Sequence, residues 1–188
     1  MVNTSIEFPN PYPSGYKRTD DITDFKYHNH LQLARLKDRT KYNIPHGDNY
    51  IVLNDYKVSY KLNGNKKKII VPRGMLTDLA SVPRIFRFYV GKVGPHLEAA
   101  IVHDWLYVAW QEPFDHAIPK KNPQNKKWYK DMRHFSDRIM LQGMESAVIK
   151  PKSWAIYKAI RIFGWGLFIK ENPPPRVLSE QILESECL

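Results

Sequence analysis

The stretch from Tyr56 to Val71 constrains the fold most. Tyr56, Val58, Tyr60 and Leu62 alternate with Lys57, Ser59 and Lys61, the two-residue period of a half-buried strand. Asn63-Gly64 follows at once, and Lys68-Ile69-Ile70-Val71 resumes the strand pattern. Asn-Gly suits a two-residue turn that needs positive φ at both positions, so the pattern predicts an antiparallel hairpin.

After the hairpin the apolar period lengthens. Ala99, Ala100, Val102 and Leu106 fall on one side of a helix that starts near Pro95, where a proline needs no N–H partner. Its small residues imply close packing against a neighbour. A second helix is predicted from about Trp128 to Met144, with Met132, Phe135, Ile139 and Met140 on one face. A third runs from about Lys152 to Gly164, with Trp154, Ala155, Ala159, Ile160 and Phe163 as its apolar side. A modest helix is also expected between Thr23 and Lys41, around Leu33 and Leu36. The order implies α+β: a small antiparallel sheet followed by about three helices. Residues 1–49 form an N-terminal arm with that possible helix, 50–170 a single core domain, and 171–188 a Pro-rich linker and acidic tail. The arm interleaves Pro9, Pro11 and Pro13 with Phe8, Tyr12 and Tyr16, and is ordered only if it lies on something.

Composition narrows the class. A chain of 188 residues is long enough to bury a core without staples. The single cysteine, Cys187, rules out a disulfide framework and a Cys-based metal site. Residues 1–5 lack the start of a signal peptide, and the apolar run from Ile160 to Ile169 is too short to span a bilayer. A net charge of +10 favours anionic partners without choosing among nucleic acid, phospholipid or acidic protein. The lysines sit in loops such as Lys66-Lys67-Lys68, not along a recognition helix, so sequence-specific nucleic-acid binding is not expected. His28-Asn29-His30 spells a nuclease name only by its letters, since that motif is spread over a whole ββα unit.

The residues able to do chemistry gather around His103-Asp104. Adjacent His and Asp inside an apolar helix are costly to bury without partners. His103 and Tyr107 share a helical face, while Asp104 is turned about 100° away. Asp137, on the next helix, is the carboxylate able to cross to that face. The set then offers His103 as a base for water, Asp137 to fix its tautomer, and Tyr107 as a hydroxyl holding a carboxylate. Asp104 remains for a hard cation such as Ca²⁺, with carbonyls from the Gly91–Gly94 loop as further oxygen ligands. Thr77, Asp78 and Ser81 either face the same site and bind substrate, or only cap and bend the backbone. Each residue also has a plain structural role open to it. His103 is then a satisfied core histidine, Asp137 the partner of Arg133 four residues earlier, and Tyr107 a packing residue. A transition-metal set of His96, His103, Asp104 and Asp137 is weaker, because His96 and His103 lie two turns apart on one helix.

Two resemblances follow from these residues. Thr77 to Arg84 (TDLASVPR), Ala99 to Tyr107 (AAIVHDWLY), Arg133-x-x-x-Asp137 and the Trp154–Gly164 helix, in order from Ile69 to Gly164, resemble a family of uncharacterised proteins common in bacteriophages and prophages. More locally, Ala99 to Tyr107 resembles the active-site helix of secreted phospholipases A2, without their cysteines and with a shorter preceding loop. That resemblance implies His103 as base for water, Asp104 as calcium ligand and Asp137 as partner of His103. The expectation is a phage-encoded, phospholipase-like hydrolase acting on a lipid or another anionic ester. The competing expectation is a non-catalytic virion or assembly component, gripping other phage proteins with its arm and tail, located in the virion or the host cytoplasm.

Overall fold

The computed structural model describes residues 8–36, 50–77, 96–111, 125–147, 150–169, 176–178 and 183–184. Within them are six strands: β1 (Ile22–Tyr27), β2 (Leu33–Arg35), β3 (Tyr50–Val52), β4 (Tyr56–Leu62), β5 (Asn65–Val71) and β6 (Leu76–Thr77). The helices are α1 (Leu97–Val108), α2 (Lys126–Ser146), α3 (Lys150–Phe163) and the short α4 (Trp165–Phe168). The class is α+β, as the sequence implies.

The hairpin forms in the expected register, from Tyr56 opposite Val71 to Leu62 opposite Asn65. Asn63 and Gly64 turn it with φ of 49° and 80°, the left-handed pair such a tight turn requires. Tyr56, Val58, Tyr60 and Leu62 are all buried, as the alternation implies, while Ser59 on the opposite face is buried too. β1 adds to the free edge of β4, antiparallel, with a register slip between Thr23 and Lys26. A second small sheet, in the order β2-β3-β6, is also antiparallel.

The helix expected over Thr23 to Lys41 is not formed where the chain is described. Residues 23–36 carry the end of β1 and all of β2 instead. Local propensity loses to pairing: Ile22 and Phe25 bury against the hairpin, while Leu33 finds Val52 across the second sheet.

α1 is buried nearly all round, from Ala99 through Trp105 to Tyr107, and packs against α2 and β5. Gly143 of α2 permits the approach, since a Cβ there would lie 2.9 Å from Ala99 Cβ and 2.9 Å from the Tyr27 hydroxyl. The aromatic arm lies on these two helices. Phe8 meets Trp105 edge-on, the Tyr12 hydroxyl donates to the Leu106 carbonyl at 2.5 Å, and Tyr16 packs on Phe135. At the other end, Val177 bridges Met75, and Leu178 and Leu183 bury beside Leu36, Ile51 and Leu76.

On α3 the expected apolar side needs correction. Ile156, Ala159 and Ile160 are buried, but Trp154, Ala155 and Phe163 are exposed. The buried stripe is narrow and centred on Ile156 and Ile160, with Ser153 buried beside them. Helical spacing placed the residues correctly on the wheel, but not which arc a neighbour would cover.

Candidate active site at Asp137

Three helices converge on one carboxylate. The first turn of α1 carries Glu98, and the next two turns present His103 and Tyr107 to α2, where Asp137 sits in mid-helix. His103 Nε2 lies 3.0 Å from Asp137 Oδ1, and the Tyr107 hydroxyl donates to the same oxygen at 2.6 Å. The other oxygen, Oδ2, accepts from Arg161 of α3 at 2.7 Å. The guanidinium of Arg133, one turn earlier on α2, has its Nε 3.7 Å from Oδ2. Arg133 spends its stronger contacts on the carbonyls of Ile160 (2.8 Å) and Arg161 (2.6 Å), where a cation suits the end of α3. The pairing of His103 with Asp137, the role of Tyr107 and the Arg133–Asp137 contact therefore coexist.

Asp137 and His103 are only 1% and 2% exposed. Burial pushes the Asp137 carboxyl up, but the donors His103, Tyr107 and Arg161 outweigh it and hold the group below its ordinary value. It is therefore an ionised acceptor. Burial, and then the charge of Asp137, push the Tyr107 hydroxyl well above its ordinary range, which keeps it a neutral donor. Arg161 takes the other oxygen of the carboxylate that His103 Nε2 faces. A ring whose one proton is on Nε2 carries its lone pair at Nδ1. Among the described residues Nδ1 is buried and has no hydrogen-bond partner.

Asp104 leaves α1 in another direction, as its helical offset requires, and its Oδ2 accepts from the Thr77 hydroxyl of β6 at 2.7 Å. Thr77 is thus tied to Asp104. Asp78, Ser81, Gly91 and Gly94 lie outside the described residues. Among the described residues no group of three or more His, Cys, Asp or Glu is gathered to hold a metal, so the set His96, His103, Asp104 and Asp137 does not assemble as ligands. His28 and Asn29 serve the sheet: His28 meets the Ser59 hydroxyl at 2.7 Å, and Asn29 bonds the backbone of Asp55 and Lys57.

Arg161 is the residue that reading the sequence missed. Its signal was a lone cation near the end of an amphipathic helix, next to the buried Ile160. Gly164, read from the sequence only as a helix end, also borders the site: a Cβ there would lie 2.7 Å from the Tyr107 hydroxyl.

The fold and site define an α+β protein with a buried His-Asp-Tyr-Arg centre between helices. Residues 50–160 match the family described as Protein of unknown function (DUF1353), over more than half of the chain. The chain belongs to that family. No curated protein and no solved structure matches it.

Proposed function

We propose that this is a phage-encoded hydrolase in which His103, oriented by Asp137, takes a proton from water at Nδ1. The observation that carries the reading is the Nδ1 of His103, without a hydrogen-bond partner among the described residues, on a ring whose Nε2 lies 3.0 Å from an ionised carboxylate. Asp137 positions the ring and balances charge as the proton arrives, while Tyr107 and Arg161 hold the carboxylate still. Asp104, which accepts from Thr77, is the carboxylate this reading gives to Ca²⁺. The resemblance of the α1 helix to that of secreted phospholipases A2 supports an ester of a lipid, and the net charge of +10 suits an anionic one. His103 is 2% exposed, so the hydrolase reading requires a local opening of the packing around its ring.

The burial itself favours a second reading. One carboxylate of α2 taking donors from both α1 and α3 is also what a structural clamp looks like, in a non-catalytic virion or assembly component.

Fatty-acid release from anionic phospholipid vesicles, with Ca²⁺ or with chelator, separates the two. Turnover by the wild type that falls by about 10² or more in His103→Ala, with the far-UV spectrum unchanged, supports the hydrolase. Full activity in His103→Ala, or no turnover by the wild type, leaves the clamp.

A further inference from the structure

Among the described residues, the large apolar side chains that stand exposed are Trp154, Ile162, Phe163 and Leu167. All four fall in one fourteen-residue stretch of α3 and α4, at 52%, 69%, 61% and 62% exposure. Trp154, Lys158 and Ile162 are spaced by four and form one ridge along α3, with Lys158 Nζ 3.9 Å above the Trp154 ring. Phe163 and Leu167, again four apart, continue it past the α3–α4 junction. Single exposed apolar side chains need no explanation, but four in one short segment mark a docking face.

The surrounding charge selects the occupant. From Ala147 to Lys170 the sequence holds Lys150, Lys152, Lys158, Arg161 and Lys170, and not one Asp or Glu. Of these, Arg161 is spent on Asp137. The described parts of the arm and tail are engaged elsewhere. Tyr12 and Tyr16 of the arm pack on α1 and α2, and Leu183 of the tail is buried beside Leu36 and Leu76. We infer that the α3–α4 face is a peripheral docking surface for an anionic phospholipid bilayer. Trp154, Ile162, Phe163 and Leu167 enter the headgroup boundary, and Lys158 beside them meets the lipid phosphates. No helix of the described residues is long and apolar enough to cross a membrane, so the contact is in the plane of the surface.

Cosedimentation with vesicles tests this without scoring turnover, so its outcome is independent of the hydrolase reading. The full-length wild type is compared with the double variant Ile162→Glu/Leu167→Glu on phosphatidylcholine vesicles, with and without phosphatidylglycerol, at low and high salt. The wild type is expected to bind the anionic vesicles, less at high salt, and the variant at least about tenfold more weakly. Both positions are exposed, so the urea midpoint should not move. A wild type that stays in the supernatant, or a variant that binds equally well, overturns the proposal. So does a concentration-dependent dimer lost in the variant while neither protein binds vesicles, which would give the face to a second copy.

Discussion

Replacing Asp137 by Ala tests the core of the site. The change removes an ionised acceptor that His103, Tyr107 and Arg161 all contact within 3.0 Å, and leaves the Tyr107 hydroxyl buried without an acceptor. Breaking a buried, hydrogen-bonded charge pair by removing one partner costs about 3–5 kcal/mol. Arg161 is partly exposed and can turn to water, which places the expected loss near the lower end. Even so, about 3 kcal/mol is a large share of a total stability of about 5–15 kcal/mol. Urea unfolding followed by far-UV circular dichroism at pH 7.5 reads the difference. Its pH dependence has a fixed sign. The folded carboxyl sits below its ordinary value of 3.8, so its contribution is complete above that value and is lost as pH falls through the folded one. The gap between wild type and variant should therefore narrow below about pH 4. A loss under about 1 kcal/mol, or a gap that does not narrow in acid, would refute the claim that this carboxylate ties the three helices together.

Other consequences follow from neighbouring contacts. His134 is lowered from 6.5 to about 4, first by burial and then by Arg161, Arg138 and Arg18. The unfolded chain takes up that proton at higher pH than the folded one, so stability should fall as pH drops from about 6.5 to about 4. His134→Gln should flatten this part of a plot of urea midpoint against pH. Gly143→Ala should cost about 1–3 kcal/mol, because the new methyl meets Ala99 and the Tyr27 hydroxyl at 2.9 Å in a packed core; thermal unfolding measures it. Gly74→Ala combines a φ of +86° with a Cβ only 2.6 Å from the Leu178 carbonyl oxygen. It should detach the 176–178 segment from Met75, seen as faster amide exchange at Leu76 and Leu178, whose N–H groups bond across that junction.

What the sequence revealed was local. The hairpin was legible because alternation and Asn-Gly are both short-range signals. The approach of Tyr107 and His103 to Asp137 was legible because helical spacing put the first two on one face and left few carboxylates to meet them. Arg161 was not, since its role depends on how α3 crosses α2, which no spacing within α3 encodes. Strands β1 and β2 were misread for a related reason: Ile22, Phe25 and Leu33 become strand residues only through partners far along the chain. Trp154 and Phe163 were read as core because apolar character alone does not say which arc of a helix is covered.

The central claim is that His103 holds a free lone pair at Nδ1 while Nε2–H serves Asp137. Nitrogen-15 NMR of histidine-labelled protein at pH 7.5, with His103→Gln to assign the ring, reads this directly. The expected result is a neutral ring protonated at Nε2 alone, with an acceptor-type Nδ1. A ring protonated at both nitrogens, or at Nδ1 alone, would leave no base at this position and would contradict the account.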